Sequence, residues 1–414
     1  MNNLDTFIAV TTAIIFILIV SHTCGRIFQY IGQPKVVGEM ISGVLLGPTC
    51  FGYFCPDLSA QIFSKEMMPF LFVISNLGLS FYMFLIGSEI DFKNFTPKIL
   101  KRSSLLSSVA IIFPFIFGAI AALWYFDIFT MPGISFTSFT IFLGTAFAIT
   151  AFPMLARILD EKKILNTEIG VLTISSACIQ DVVSWILLSF VTAAAAHKGM
   201  EAGYITLFGG MGFIAIVFLI VRPLLKIIGK RSQKHGYLSQ PDFVIIVVLL
   251  LAAALITDKL GLYSVFGGFI LGLAVPRDPV FSKGIQDKLK DFTQAILLPL
   301  FFTFSGLNAN MLVLGNLTNF VPTLIIIGFA FFSKYASALI AMKLTGFSWR
   351  ESSAIGGLTN ARGLMELIVA NIGLSYAVIT KDLYSILVLI AILTTLFAMP
   401  IYNFSMGIKK KSKK

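Results

Sequence analysis

Charged residues are scarce in this chain. They make up 12% of its 414 residues, about half of what a soluble domain carries, and the mean hydropathy is +0.91. Long hydrophilic stretches are missing as well, which leaves no room for a soluble nucleotide-binding or regulatory domain. With 57% hydrophobic residues, the sequence instead predicts an all-α polytopic membrane protein.

Cysteine and histidine are also rare, with 4 and 3 copies. Their spacing matches no metal site, and we expect no cofactor and no enzymatic activity. Cys24 and Cys178 lie inside apolar runs and are expected to be inert thiols. Cys50 and Cys55 share one loop, where the sequence leaves open whether a disulfide forms.

The apolar runs predict thirteen membrane-spanning helices, of which the second, ninth and tenth are short. Their approximate extents are 6–27, 34–50, 67–88, 99–126, 137–157, 167–196, 203–228, 241–257, 261–276, 292–306, 317–342, 351–374 and 383–408. Residues 409–414 form a basic tail.

Positive charge is distributed unequally between the two sides of these spans. The chain has 31 lysine and arginine residues, and all but six lie in connections on one side or in the tail. The exceptions are Lys65, Lys198, Lys259 and Lys381 on the opposite side, and Lys334 and Arg362 within spans. This asymmetry predicts an outside amino terminus and a cytoplasmic carboxyl terminus in a plasma membrane, such as a bacterial inner membrane. Topology therefore explains the net charge of +11, and we expect no nucleic-acid partner.

Two segments of the chain align without gaps. GQPKVVGEMISG (32–43) matches GLYSVFGGFILG (261–272) at five positions, three of them glycines. These segments belong to the second and ninth spans, which lie seven apart and so cross in opposite directions. The same offset pairs the fifth span with the twelfth. Although small residues in apolar helices also align by chance, the topology favours an inverted repeat of the kind found in secondary transporters.

A single carboxylate, Asp181, interrupts the sixth apolar run within SSACIQDVVSW (175–185). By helix rise it lies near the middle of a hydrocarbon layer of ~30 Å. A charge at that depth costs on the order of 3 kcal/mol or more, so such residues normally face water or a partner and handle ions or protons. The alternative is a carboxylate that only bonds a neighbouring helix.

Two spans contain features that break a helix. In GTAFAITAFPMLARIL (144–159), Pro153 removes a backbone donor and disfavours helix at Phe152. In GGLTNARGLMELIVANIG (356–373), glycines flank a polar TNAR run. Both spans are expected to unwind near mid-membrane, where half-helix ends present their dipoles to an ion. A simple kink at Pro153 remains the alternative.

The motifs AITAFPMLARIL, IQDVVSW and TNARGLMELIVANIG, together with QPKVVGEMISGVLLGP near the start, resemble those of a known family. This family is the monovalent cation:proton antiporter superfamily, and the likeness is greatest to plant-type cation/proton exchangers and their bacterial relatives. It extends over nearly the whole chain. The resemblance implies a sodium/proton antiporter fold with inverted repeats and two crossing broken helices. It also implies a homodimer in the lipid bilayer and an elevator-like movement of a core against a scaffold.

The resemblance further implies that residues 1–408 form one transmembrane antiporter domain. Its expected parts are scaffold helices at about 6–88 and 241–306, a linker helix at about 203–228, and core helices at about 99–196 and 317–408.

Residue roles follow from the same resemblance. Asp181 matches the essential ion-binding aspartate, and Gln180 occupies a position that is an acid in some electrogenic members. Thr150 and Pro153 fall in the first crossing. Lys334 matches a lysine in the span before the second crossing. Arg362 and Glu366 match charged residues of the second crossing itself.

Each supporting residue also has a simpler interpretation. Lys334 pairs with a carbonyl or a buried acid, and Arg362 pairs with Glu366 across the break that also contains Asn360. Glu39, one turn from Lys35, either lines an entrance or is a boundary charge.

One carboxylate can couple two ions. Burial favours the protonated form of Asp181 and a nearby cation favours the charged form, so the proton and the cation compete for one pair of oxygens. The Gln180 amide, the Thr150 hydroxyl and carbonyls freed at Pro153 are the expected further ligands for K⁺ or Na⁺. Because an amide cannot titrate, Gln180 predicts one proton per cation and hence electroneutral exchange.

The sequence does not distinguish sodium from potassium. A sodium-coupled symporter of organic anions shares the inverted-repeat fold and is the alternative from another mechanistic class. The lone Asp181 and the buried Lys334 favour exchange over symport, and the absence of a repeated filter sequence argues against a channel.

Overall fold

A computed structural model describes residues 3–407 apart from 65, 90–95, 166, 196–198, 308 and 312–316. Within these residues the chain forms nineteen α-helices and no β-strand, with π-helical segments at Val217–Val221 and Thr293–Leu297. The α-helices are α1 Asn3–Tyr30, α2 Lys35–Leu46, α3 Phe51–Phe54, α4 Pro56–Ile62, α5 Met68–Glu89, α6 Pro97–Phe129, α7 Phe136–Ala148, α8 Phe152–Glu161, α9 Glu168–Ala195, α10 Gly199–Ile216, α11 Arg222–His235, α12 Gln240–Lys259, α13 Ser264–Ala274, α14 Pro279–Phe292, α15 Leu298–Leu307, α16 Leu317–Leu344, α17 Trp349–Thr359, α18 Leu364–Ser375 and α19 Lys381–Met406. The predicted basic tail, 409–414, lies outside the described residues.

The helices reproduce the predicted order of spans. Eight helical stretches of the described chain are long and apolar enough to cross a membrane, and shorter apolar stretches occur in α7, α13 and α18. Helices α9 and α15 lie at the positions of the sixth and tenth predicted spans. The chain is thus an integral membrane protein, and the predicted fold class is confirmed.

Helix α14 lies in the polar segment between the ninth and tenth predicted spans. Its helical start is explained by Asp278, whose carboxylate accepts hydrogen bonds from the N–H groups of Val280 and Phe281, both at 3.0 Å. Pro279 follows at the first helical position, where its missing donor costs nothing. Local capping therefore extends helical structure beyond the apolar run.

The inverted repeat is visible in the packing of its glycines. Gly32 and Gly261 precede the two equivalent helices with φ of 88° and 78°, a left-handed conformation that favours glycine. A Cβ on Gly38 would lie 2.5 Å from the carbonyl oxygen of Cys24, and one on Gly267 would lie 2.3 Å from that of Ala253. In each repeat, therefore, the short helix packs against the backbone of the helix before it.

The described chain divides into two compact units. The first contains Met1–His22, Cys55–Phe92 and His197–Phe304, and the second contains Thr23–Phe54, Lys93–Ala196 and Ser305–Lys414. The second unit holds both interrupted spans, α9 and α16, as proposed for the core. It also holds α2, which the sequence analysis assigned to the scaffold.

Candidate functional site

The first interruption lies between α7 and α8. Helix α7 ends at Ala148, and Ile149 is extended with φ −67° and ψ 137°. Pro153 has no N–H to donate back to the Ile149 carbonyl, which explains why helical bonding fails here. The break falls just before the proline, as predicted. Pro153 is the second residue of α8, and its side chain lies outside the described residues.

The second interruption lies between α17 and α18, at the glycine-rich polar run. Gly363 precedes α18 with φ 156°, and a Cβ at this position would lie 2.6 Å from the Cε of Met154. The two breaks cross each other, because the Ala151 N–H donates to the Ala361 carbonyl at 3.3 Å. A backbone donor at the first break is thus satisfied by a backbone acceptor at the second.

Asp181 lies on α9 beside the first break and is fully buried. Its Oδ1 accepts a hydrogen bond from the Phe152 N–H at 3.3 Å. In a continuous helix that N–H would donate to the Ala148 carbonyl, so the break directs the first turn of α8 toward the carboxylate. The Oδ2 atom is also buried and has no hydrogen-bond partner among the described residues.

Gln180 and Thr150 lie next to Asp181 and bond to each other. The Thr150 hydroxyl donates to the Gln180 Oε1 at 2.7 Å and lies 3.4 Å from the Thr359 carbonyl. The Gln180 Nε2 donates to the Ser176 Oγ at 3.0 Å. The predicted ligands Asp181, Gln180 and Thr150 are therefore brought together at the crossing, with both ends of the Gln180 amide already hydrogen-bonded.

Lys334, on α16, is fully buried and contacts the end of α7. Its Nζ donates to the Ala148 carbonyl at 2.6 Å and to the Ile149 carbonyl at 2.7 Å. A cation at a helix C-terminus is favoured because the unpaired carbonyls there carry partial negative charge. Lys334 therefore has carbonyl acceptors, and these are two of the carbonyls that were expected to bind the transported ion.

Arg362 binds the two carbonyls of α7 that precede those bound by Lys334. Its guanidinium donates to the carbonyls of Ala146 at 3.2 Å and Phe147 at 2.8 Å. It also forms an ion pair with Glu366 at 3.3 Å, with both side chains completely buried. The expected pairing of Arg362 with Glu366 is therefore present, but the guanidinium also caps a helix that the sequence did not connect with it.

Of the remaining predicted residues, Asn360 lies in the second break and Glu39 lies on α2. The Asn360 amide donates to the Gly356 carbonyl at 3.1 Å, and its Oδ1 has no partner within the described chain. Glu39, on α2, is completely buried and forms an ion pair with Lys35 at 3.5 Å. All four cysteines are free thiols, so Cys50 and Cys55 form no disulfide.

Sequence reasoning missed two polar residues at the site. Ser176 lies one helical turn before Gln180 and holds its amide, a contact that the four-residue spacing could have indicated. Thr395, on α19, accepts a hydrogen bond from the Arg362 N–H at 3.0 Å and donates to the Arg362 carbonyl. No local signal marks Thr395, because it is far from the break in sequence.

The chemistry of this arrangement is that of a buried anion with one open coordination position. The cationic side chains of Lys334 and Arg362 are directed at backbone carbonyls and at Glu366. The buried Oε2 of Glu366 also lacks a hydrogen-bond partner, but that carboxylate is paired with Arg362, whereas no cation within the described chain is paired with the Oδ2 of Asp181. A proton or a small cation can satisfy that oxygen.

Comparison with known proteins identifies the family of the chain. The family model described as "Sodium/hydrogen exchanger, transmembrane" matches residues 13–402. The chain belongs to this family, whose members are monovalent cation:proton antiporters, and the sequence-based assignment is confirmed.

Individual relatives are named as cation:proton antiporters. The Na(+)/H(+) antiporter NhaS4 of Synechocystis is 33% identical over 96% of this chain and 97% of its own length. The K(+)/H(+) antiporter 1 of Saccharomyces cerevisiae is 32% identical over 93% of this chain, and Cation/H(+) antiporter 20 of Arabidopsis thaliana is 32% identical over 96%. This chain spans about half the length of the yeast and plant relatives, with 45% and 49% covered.

A solved structure has the same fold. The sodium proton antiporter MjNhaP1 from Methanocaldococcus jannaschii matches with a TM-score of 0.68 over 97% of both chains. The sequence identity is 16%, so this likeness concerns the fold alone.

Proposed function

We propose that the chain exchanges one alkali cation, Na⁺ or K⁺, for one proton, with Asp181 as the group that holds either ion. The observation that carries this proposal is the buried Asp181 carboxylate, of which one oxygen accepts the Phe152 N–H and the other has no partner among the described residues. A buried carboxylate oxygen in that condition is costly unless a proton or a cation occupies it.

Competition at Asp181 couples the two ions. A protonated carboxyl loses the charge that attracts a cation, and a bound cation opposes protonation. Thr150 supplies a neutral oxygen ligand if its hydroxyl rotates away from Gln180, and the open Oδ1 of Asn360 is a second neutral oxygen at the crossing. The site therefore carries the same added charge whether it is loaded with a proton or a cation.

Electroneutral exchange is the stoichiometry that this charge balance supports. Asp181 is the one acid of the pair at positions 180 and 181, since Gln180 is neutral. Arg362 and Glu366 compensate each other at 3.3 Å, and Lys334 is held by carbonyls. With these charges constant through the cycle, one proton moves per cation and no net charge crosses.

The test is cation-driven proton movement in proteoliposomes, measured with a pH-sensitive dye inside the vesicles. Asp181→Asn keeps the shape of the side chain and its acceptor for the Phe152 N–H, but it cannot bind a proton or neutralise a cation. The matched control is Glu168→Gln, because Glu168 is an acid of the same helix, 65% exposed, that pairs with Arg102 at the helix start.

We expect Asp181→Asn to reduce Na⁺- and K⁺-driven proton flux to that of empty vesicles. Glu168→Gln is expected to retain flux within about twofold of the unchanged protein. Normal exchange by Asp181→Asn would exclude Asp181 as the exchange site. An imposed membrane potential should leave the initial rate of the unchanged protein unaltered, and a potential-dependent rate would exclude one-for-one exchange.

The movement that exposes the site is proposed to be elevator-like. Both interrupted spans, Asp181, Lys334 and Arg362 belong to the second compact unit, and the contacts of Lys334 and Arg362 with α7 hold its crossing together. This unit is the proposed moving core. The proposal includes a homodimer formed through scaffold helices, an outside amino terminus and a plasma-membrane location.

A further inference from the structure

A long apolar groove lies between α6 and α16 in the second unit. Its volume is about 490 Å³. Side chains at four-residue intervals form one wall, from Leu105 to Phe117 on α6, and side chains at the same intervals form the other, from Phe332 to Leu344 on α16. Four-residue spacing places each set on one helix face.

The groove is bounded at both ends by direct contacts between the two helices. Beyond one end, the rings of Phe117 and Phe329 pack edge to face with centroids 5.3 Å apart. Beyond the other, the Arg102 guanidinium donates to the Thr345 carbonyl at 3.2 Å and lies 4.8 Å above the Phe347 ring. Between these contacts, a groove lined by apolar side chains therefore runs along the two helices.

Basic residues lie at only one end of the groove within the described chain. Lys101 is exposed and precedes Leu105 by one turn on the same face of α6. Lys98 is exposed one turn earlier, and Lys343 precedes Leu344 at the end of α16. Arg102 is paired with Glu168 at 3.1 Å, whereas these lysines form no ion pair with any acid of the described chain.

We propose that this groove binds an anionic phospholipid, with one acyl chain between α6 and α16 and the phosphate at Lys101. Twelve residues separate Leu105 from Phe117, which corresponds to about 18 Å of helix. One leaflet of the hydrocarbon layer is about 15 Å thick, so the groove accommodates one acyl chain along its length. Lysines beside the end of a membrane helix attract anionic headgroups.

The bound lipid would act next to the ion site. The Ser337 hydroxyl lines the groove and donates to the Lys334 carbonyl at 3.0 Å, and the Lys334 side chain caps α7. On the other wall, α6 contacts α7 so closely that a Cβ on Gly118 would lie 2.7 Å from the Cα of Gly144. An acyl chain in the groove thus packs against α6 and α16, both of which contact α7.

The experiment is native mass spectrometry of the purified full chain with equal amounts of dioleoyl phosphatidylglycerol and dioleoyl phosphatidylcholine. Lys101→Gln removes the proposed phosphate contact, and Ala336→Trp fills the groove from the α16 wall. The matched controls are Lys230→Gln, an exposed lysine of α11 in the other unit, and Ile116→Trp, an exposed α6 position outside the groove. If Ala336→Trp does not yield monodisperse protein, Val109→Trp fills the groove from α6.

We expect the unchanged protein to retain phosphatidylglycerol over phosphatidylcholine, and Lys101→Gln to lower that preference about fivefold. Ala336→Trp should abolish retention of the tightly held lipid, while both controls behave as the unchanged protein. Equal retention of the two lipids, or full retention by the groove-filling variant, would overturn the proposal. It would also be overturned if Lys230→Gln had the same effect as Lys101→Gln, because the anionic lipid would then bind at α11.

Discussion

Removal of the Lys334 ammonium tests whether the first broken helix depends on a buried cation. In Lys334→Met the side chain keeps its length and apolar stem, but the carbonyls of Ala148 and Ile149 lose their donor. A buried acceptor left without a partner costs about 1–3 kcal/mol. Two such carbonyls predict that the free energy of unfolding falls by about 2–6 kcal/mol.

The same substitution at Lys343 provides the control, because Lys343 is on the same helix but only half-buried, with its Nζ 3.4 Å from the Phe347 carbonyl. It should change stability by no more than about 0.5 kcal/mol. Unfolding is followed by titration from mild detergent into sodium dodecyl sulfate, with helix content as the signal. If Lys334→Met were as stable as Lys343→Met, the carbonyls would not need the ammonium, and the capping role would be wrong.

Other substitutions test the crossing separately. Gly363→Ala should destabilise the protein by about 1–3 kcal/mol in the same titration, because alanine at φ 156° is strained and its Cβ would meet Met154; unchanged stability would contradict this. Glu366→Gln should reduce stability by about 3 kcal/mol, because it leaves the buried Arg362 without its anion, and a neutral effect would mean that the α7 carbonyls suffice. Gln180→Glu adds a second acid at the site and should make proteoliposome exchange respond to an imposed potential; insensitivity would contradict the charge balance proposed for electroneutral transport.

Local chemistry made much of the architecture predictable. The lack of charge over long stretches predicted the spans, the proline at 153 predicted the first break, and repeated glycines predicted that α2 and α13 are equivalent. Asp181 could be selected because a lone acid in an apolar helix is conspicuous. Each of these signals is contained within one span, or in the comparison of two short segments.

The partners of the buried cations could not be predicted in this way. Lys334 is 185 and 186 residues from the carbonyls it binds, and a carbonyl is present at every position, so no side-chain pattern identifies the right ones. The assignment of Thr23–Phe54 to the second unit likewise depends on packing between distant segments. The capping of α14 by Asp278 is local, but it lies in a polar segment where a search for apolar runs finds no helix.

Direct cation binding across a pH series tests the central claim, that a proton and a cation compete for Asp181. Calorimetric titration of the purified protein with Na⁺ and with K⁺ gives an apparent Kd for each ion at each pH. For the ion that binds, we predict that the Kd rises tenfold for each unit of acidification at low pH, levels off at high pH, and that Asp181→Asn abolishes binding. An apparent Kd that is independent of pH, or unchanged binding by Asp181→Asn, would contradict the account.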